Sequence, residues 1–143
     1  MVRMLAGATP AVLLALLAAA PGSAAERFDI RLTPVPIEAA TRADVTGRGS
    51  ASAVLDGRRL TIEGRFEGLG GTATVARLHL GPAMGVRGPV VFEAPVAPVT
   101  AGDFRIEVEL EPAAVEGLLA RRLYLQIYSE RAPDGNLWGW VLQ

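Results

Sequence analysis

Residues Asp103 to Glu111 alternate without a break. Phe104, Ile106, Val108 and Leu110 are apolar, while Asp103, Arg105, Glu107, Glu109 and Glu111 are charged. A period of two puts one set on each face of a strand, so the segment is predicted as half-buried β-structure. Such a strand needs neighbours that share its dry face. Several other segments can supply them. Glu26 to Leu32 sets Phe28, Ile30 and Leu32 against Asp29 and Arg31. Pro34 and Pro36 follow, and proline has no N–H for a ladder, so this strand lies at an edge or ends there. Ile37 to Gly47 is weakly patterned and reads as a loop. Gly49–Leu55 and Arg58–Phe66 flank Asp56-Gly57, a strong hairpin signal with positive φ expected at both central positions. In the second of these, Leu60, Ile62, Gly64 and Phe66 share one face.

Turn residues then divide the chain at short intervals. Gly68-Leu69-Gly70-Gly71, Gly81-Pro82, Gly85, Gly88-Pro89, Pro95, Pro98 and Pro133-Asp134-Gly135 bound strands at Ala73–Leu80, Val90–Ala94, Leu123–Ser129 and Leu137–Leu142. The register of Ala73–Leu80 is ambiguous at Val75. Pro112 suits a first helical position. Val115, Leu118 and Leu119 follow at helical spacing, which predicts a short helix from Pro112 to about Ala120. About eight short strands and one short helix make an all-β chain, expected as a Greek-key β-sandwich and not as alternating β-α units.

Bulk properties narrow the function. The 143 residues are 50% apolar and 20% charged, which suits one ordinary domain. A net charge of −1 gives no field to gather nucleic acid or anionic lipid. The absence of cysteine excludes disulfides, thiolate nucleophiles and cysteine-ligated zinc. At the N-terminus, Arg3 precedes an apolar stretch from Leu5 to Ala20, and Ser23-Ala24-Ala25 offers small residues for cleavage. This is the pattern of a secretory signal peptide. Residues 1–25 are therefore expected to be removed, leaving a domain over 26–143 that is periplasmic or secreted and free of the membrane.

The order of motifs resembles the CHRD domain, found in chordin and in secreted bacterial proteins. The resemblance rests on Gly68-Leu69-Gly70, Ala76-Arg77-Leu78-His79-Leu80-Gly81-Pro82-Ala83, Gly88-Pro89-Val90-Val91, Tyr124-Leu125-Gln126-Ile127-Tyr128-Ser129 and Pro133-Asp134-Gly135-Asn136-Leu137-Trp138-Gly139-Trp140. It covers nearly all of the chain after residue 25. Arg77 stands where the family carries the first histidine of a pair, and Tyr128 where it often carries another. The resemblance implies an extracellular β-rich module, a binding or structural protein and not an enzyme, with an unidentified protein or carbohydrate partner. It supplies no cofactor.

His79 is the only histidine. It is a candidate ligand for copper or zinc, as in a superoxide-dismutase-like protein, but such ions need two or three further protein ligands. The alternative is a histidine hydrogen-bonded in place to hold the Gly81-Pro82 turn. Glu107, Glu109 and Glu111 lie about 7 Å apart in succession on one strand face. They read as a site for a hard cation such as calcium, as paired carboxylates for glycoside hydrolysis, or as a solvated row paired with neighbouring arginines. The glycines at 68, 70 and 71 lack phosphate-loop spacing. Trp138 and Trp140 share a strand face, as do Tyr124 and Tyr128. If their strands pair, these four form an aromatic binding surface; otherwise the tryptophans fill the core while Leu137 and Val141 face out, or both faces are buried.

Overall fold

A computed structural model describes residues 24–143. The expected leader over residues 1–25 falls almost wholly outside them. The strands are β1 (Glu26–Pro34), β2 (Arg48–Asp56), β3 (Arg59–Glu67), β4 (Ala73–Leu80), β5 (Val90–Pro95), β6 (Gly102–Glu109), β7 (Leu123–Ser129) and β8 (Leu137–Leu142). Among the described residues the single α-helix, α1 (Pro112–Leu119), joins β6 to β7, and a 3-10 turn at Ala39–Thr41 lies between β1 and β2. All eight strands form one antiparallel sheet in the order β5-β4-β7-β8-β1-β2-β3-β6. The sheet curls toward a barrel with Greek-key connectivity, because β4 and β5 lie at the far end from β3 and β6 returns beside β3. Its two end strands, β5 and β6, flank a cavity of about 500 Å³ with Leu80, Phe92, Val108 and Ala114 among its lining residues.

One core fills the concave side. Phe28, Ile30 and Leu32 of β1 meet Leu60, Ile62 and Phe66 of β3 there, with Phe104 and Ile106 of β6, Leu123, Leu125 and Ile127 of β7, and Leu137 and Val141 of β8. The alternation in β6 is realised: Phe104 and Ile106 are buried, Val108 is half-buried and the charged residues face water. Glu107 lies 2.6 Å from Arg105 and 3.2 Å from Arg59, and Glu109 lies 2.6 Å from Arg58. Facing salt bridges of this kind set the partners of exposed strands and add little to stability.

Four local expectations are resolved. First, β1 ends at Pro34, opposite Leu137, which was one of its two alternatives; it is not at an edge, since it pairs with β2 on one side and β8 on the other. Second, the hairpin loop is Gly57-Arg58 and not Asp56-Gly57, because Asp56 pairs with Arg59. Only Gly57 of this pair has positive φ, at 62°, and glycine in the first central place is the signature of a type II′ turn. Third, Leu119 is 52% exposed; α1 buries Ala114, Gly117 and Leu118 instead. Fourth, the ambiguity in β4 reflects two irregularities, one at Ala73/Val75 against β7 and one at Leu78/His79 against β5.

Candidate functional site

The convex side of β4, β7 and β8 carries the aromatic residues. Leu137 and Val141 are buried in the core, so the alternation of β8 sends Trp138 and Trp140 outward. The antiparallel pairing of β7 with β8 sets Tyr124 beside Trp140. Trp138 and Trp140 meet edge to face at 5.8 Å, and Trp140 lies 4.6 Å from Tyr124. Tyr124 stacks in turn on His79 at 4.8 Å and 10°. The four aromatics and His79 therefore form one continuous cluster.

Only half of that cluster reaches water. Tyr124 and Tyr128 are buried, 1% and 6% exposed: the loop 81–89 meets the Tyr124 hydroxyl at Gly88, and the Arg77 guanidinium lies over the Tyr128 ring at 4.6 Å. This part of the expected aromatic surface is thus a small second core and not a docking face. His79 fastens the covering loop. Its Nδ1 lies 2.8 Å from the Gly88 carbonyl and its Nε2 lies 2.8 Å from the Tyr128 hydroxyl. A carbonyl only accepts, so Nδ1 carries the proton and Nε2 accepts from the tyrosine. The Gly88 N–H donates to the Tyr124 hydroxyl at 3.1 Å. The segment held by His79 is therefore Gly88, not the Gly81-Pro82 turn. Burial holds the His79 pKa below its ordinary value; the bond to Gly88 opposes this, and Arg77 and Arg87 add to it. With both ring nitrogens engaged, His79 offers no lone pair to a metal. No group of three or more His, Cys, Asp or Glu able to hold one occurs among the described residues.

Trp138 and Trp140 remain half-exposed and line an open groove of about 370 Å³. β1 supplies its other wall. Thr33 lies opposite Trp138 and Asp29 opposite Leu142, so Arg31 falls beside Trp140. Asp29, Arg31 and Thr33 are all exposed and line the groove with the tryptophans. Close approach of the strands depends on Gly139, where any Cβ would sit 2.5 Å from the Arg31 carbonyl oxygen. Aromatic faces beside hydroxyl, carboxylate and guanidinium groups make a surface that packs apolar C–H groups and hydrogen-bonds polar ones. The polar wall was legible as the outward set of β1. Its placement beside the tryptophans was not, since nothing in the sequence announces the pairing of β1 with β8.

Glu107, Glu109 and Glu111 are exposed and line the rim of the cavity between β5 and β6. The hydrogen bond from Arg105 holds the Glu107 carboxyl below its ordinary range, helped by the charges of Arg105 and Arg59. A glycosidase acid needs the reverse shift. Glu107 pairs with Arg59 and Arg105 and Glu109 with Arg58, while Glu111 stands at the N-terminal cap of α1.

The family model of the CHRD domain matches residues 29–141. The chain belongs to the CHRD family. No curated protein and no solved structure matches it. The CHRD match runs from Asp29 of β1 to Val141 of β8 and so spans both walls of the tryptophan groove. No helix among the described residues is long and apolar enough to cross a membrane.

Proposed function

We propose that this CHRD protein is an exported, non-enzymatic binding module, and that its binding face is the β8–β1 groove with a carbohydrate as ligand. Export rests on the leader pattern of residues 1–25. The observation that carries the ligand reading is the pair of half-exposed tryptophans set beside Asp29, Arg31 and Thr33. Sugar rings present C–H faces to aromatic platforms and hydroxyls to polar neighbours, and this groove offers both within one strand spacing, about 4.8 Å. Tryptophan is enriched among residues that dominate binding. Isothermal titration of the 26–143 chain against a panel of oligosaccharides tests the reading. Saturable binding weakened by Trp140→Ala, with the fold intact by circular dichroism, is expected. Binding that ignores this substitution, or no saccharide bound at all, would sink it.

A further inference from the structure

The tryptophan groove does not end at β1. A second depression of about 330 Å³ is lined by Arg31, Thr33, Arg48, Ser50, Arg65 and Glu67, together with backbone of the same strands. Arg31 and Thr33 line both hollows, so one trough crosses β8, β1, β2 and β3. The register fixes its contents. Arg31 is opposite Ser50 and Ser50 is opposite Arg65. Trp140, Arg31, Ser50 and Arg65 therefore stand in one row across four strands.

The charged side chains lining the trough are Arg31, Arg48 and Arg65 against Asp29 and Glu67. Arg48 is paired with Glu67 at 2.7 Å, and Arg65 reaches Asp103 only at 3.8 Å. Arg31, exposed and beside Trp140, has no ion-pair partner among the described residues. An unpaired guanidinium presents a planar fork that matches a carboxylate or sulfate in two-point contact. Adjacent strands lie about 4.8 Å apart, close to the length of one pyranose unit. A chain laid across the strands then sets successive rings over successive strands.

Building on the carbohydrate reading above, we infer that the ligand is an acidic oligosaccharide, carboxylated or sulfated, running from Trp140 toward Arg65. One ring stacks on Trp140, its neighbour's anionic group takes Arg31, and the next acidic unit reaches Arg65. Ser50, between the arginines, is placed to hydrogen-bond a hydroxyl.

The test compares cellohexaose, hexagalacturonate and a sulfated hexasaccharide by calorimetry on the 26–143 chain. One charge-assisted hydrogen bond predicts acidic ligands binding about tenfold more tightly than the neutral one at low salt. Arg31→Gln is expected to weaken the acidic ligands about tenfold and cellohexaose by much less, so that the acidic preference disappears. Trp140→Ala weakens all three. Preference for either the carboxylated or the sulfated ligand identifies the anionic group and supports the inference. Equal affinity for acidic and neutral chains, or indifference to Arg31→Gln, overturns the acidic assignment and leaves the carbohydrate reading standing. Equal binding of polyglutamate overturns it too, as a bare charge effect. No binding of any saccharide overturns both.

Discussion

Replacing His79 with phenylalanine isolates what the latch over β7 contributes. Phenylalanine keeps the stack on Tyr124, so it opens no large cavity, but it removes the bonds to Gly88 and Tyr128. Each bond is worth about 1 kcal/mol net. The Gly88 carbonyl keeps a contact from the Tyr124 hydroxyl at 3.3 Å, whereas the Tyr128 hydroxyl loses its ring-nitrogen partner in a buried setting. Allowing roughly 1 kcal/mol for that orphaned hydroxyl, the loss is about 2–3 kcal/mol. A domain of this size loses about 4 °C per kcal/mol, so the midpoint should fall by about 8–12 °C. The same residue predicts a pH effect. In the unfolded chain His79 takes up a proton near its ordinary pKa of 6.5, while the folded protein resists, because burial holds its pKa lower. Between those two values the unfolded state binds more protons, so stability is fully present above pH 6.5 and falls as pH drops through the window. One proton limits the slope to about 1.4 kcal/mol per pH unit. Because this is the only histidine, His79→Phe should remove that slope. Thermal denaturation reads the first effect, and urea denaturation of both proteins at several pH values between 7.5 and 5 reads the second. A midpoint unchanged within about 2 °C, or the same slope in both proteins, would refute the latch.

Two further outcomes follow from packing. Gly139→Ala places a methyl against the Arg31 carbonyl and 2.6 Å from Cγ2 of Ile30, so it should cost about 1–3 kcal/mol and widen the β8–β1 groove. Thermal denaturation that matches the parent would mean these strands are not paired as described. Glu107→Gln should leave stability nearly unchanged, since Glu107 and its arginine partners are exposed and screened by water. A larger loss in denaturant titration would show that the acidic row is structural and not merely solvated.

The strands were legible wherever one face meets the core and the other meets water. The alternation of β6, the inward set of β1 and the bounds of β7 and β8 all follow from that contrast. Legibility failed where both faces are covered. All seven residues of β7 are buried, so its tyrosines look like a surface in sequence and are enclosed in fact. Tyr124 is met by a turn-rich segment, residues 81–89, whose landing place depends on His79 and Tyr124 reaching Gly88, and Tyr128 by the Arg77 side chain. Pro34 left two alternatives open, an edge strand or the end of one. It ends a strand, and its missing N–H is tolerated because the ladder stops there, although the strand itself is central. The site was half legible: the tryptophans announced themselves, while Arg31 became a partner only through long-range strand order.

Trp138 and Trp140 are the only tryptophans, so their emission reports on the groove and nowhere else. Titrating the 26–143 chain with an oligosaccharide that calorimetry shows to bind, and following tryptophan fluorescence, is therefore the most direct test. A saturable change in intensity or wavelength, with the calorimetric Kd, is the result expected of a binding face on β8 and β1. Calorimetric binding with no change in tryptophan emission would place the ligand elsewhere on the molecule and contradict it.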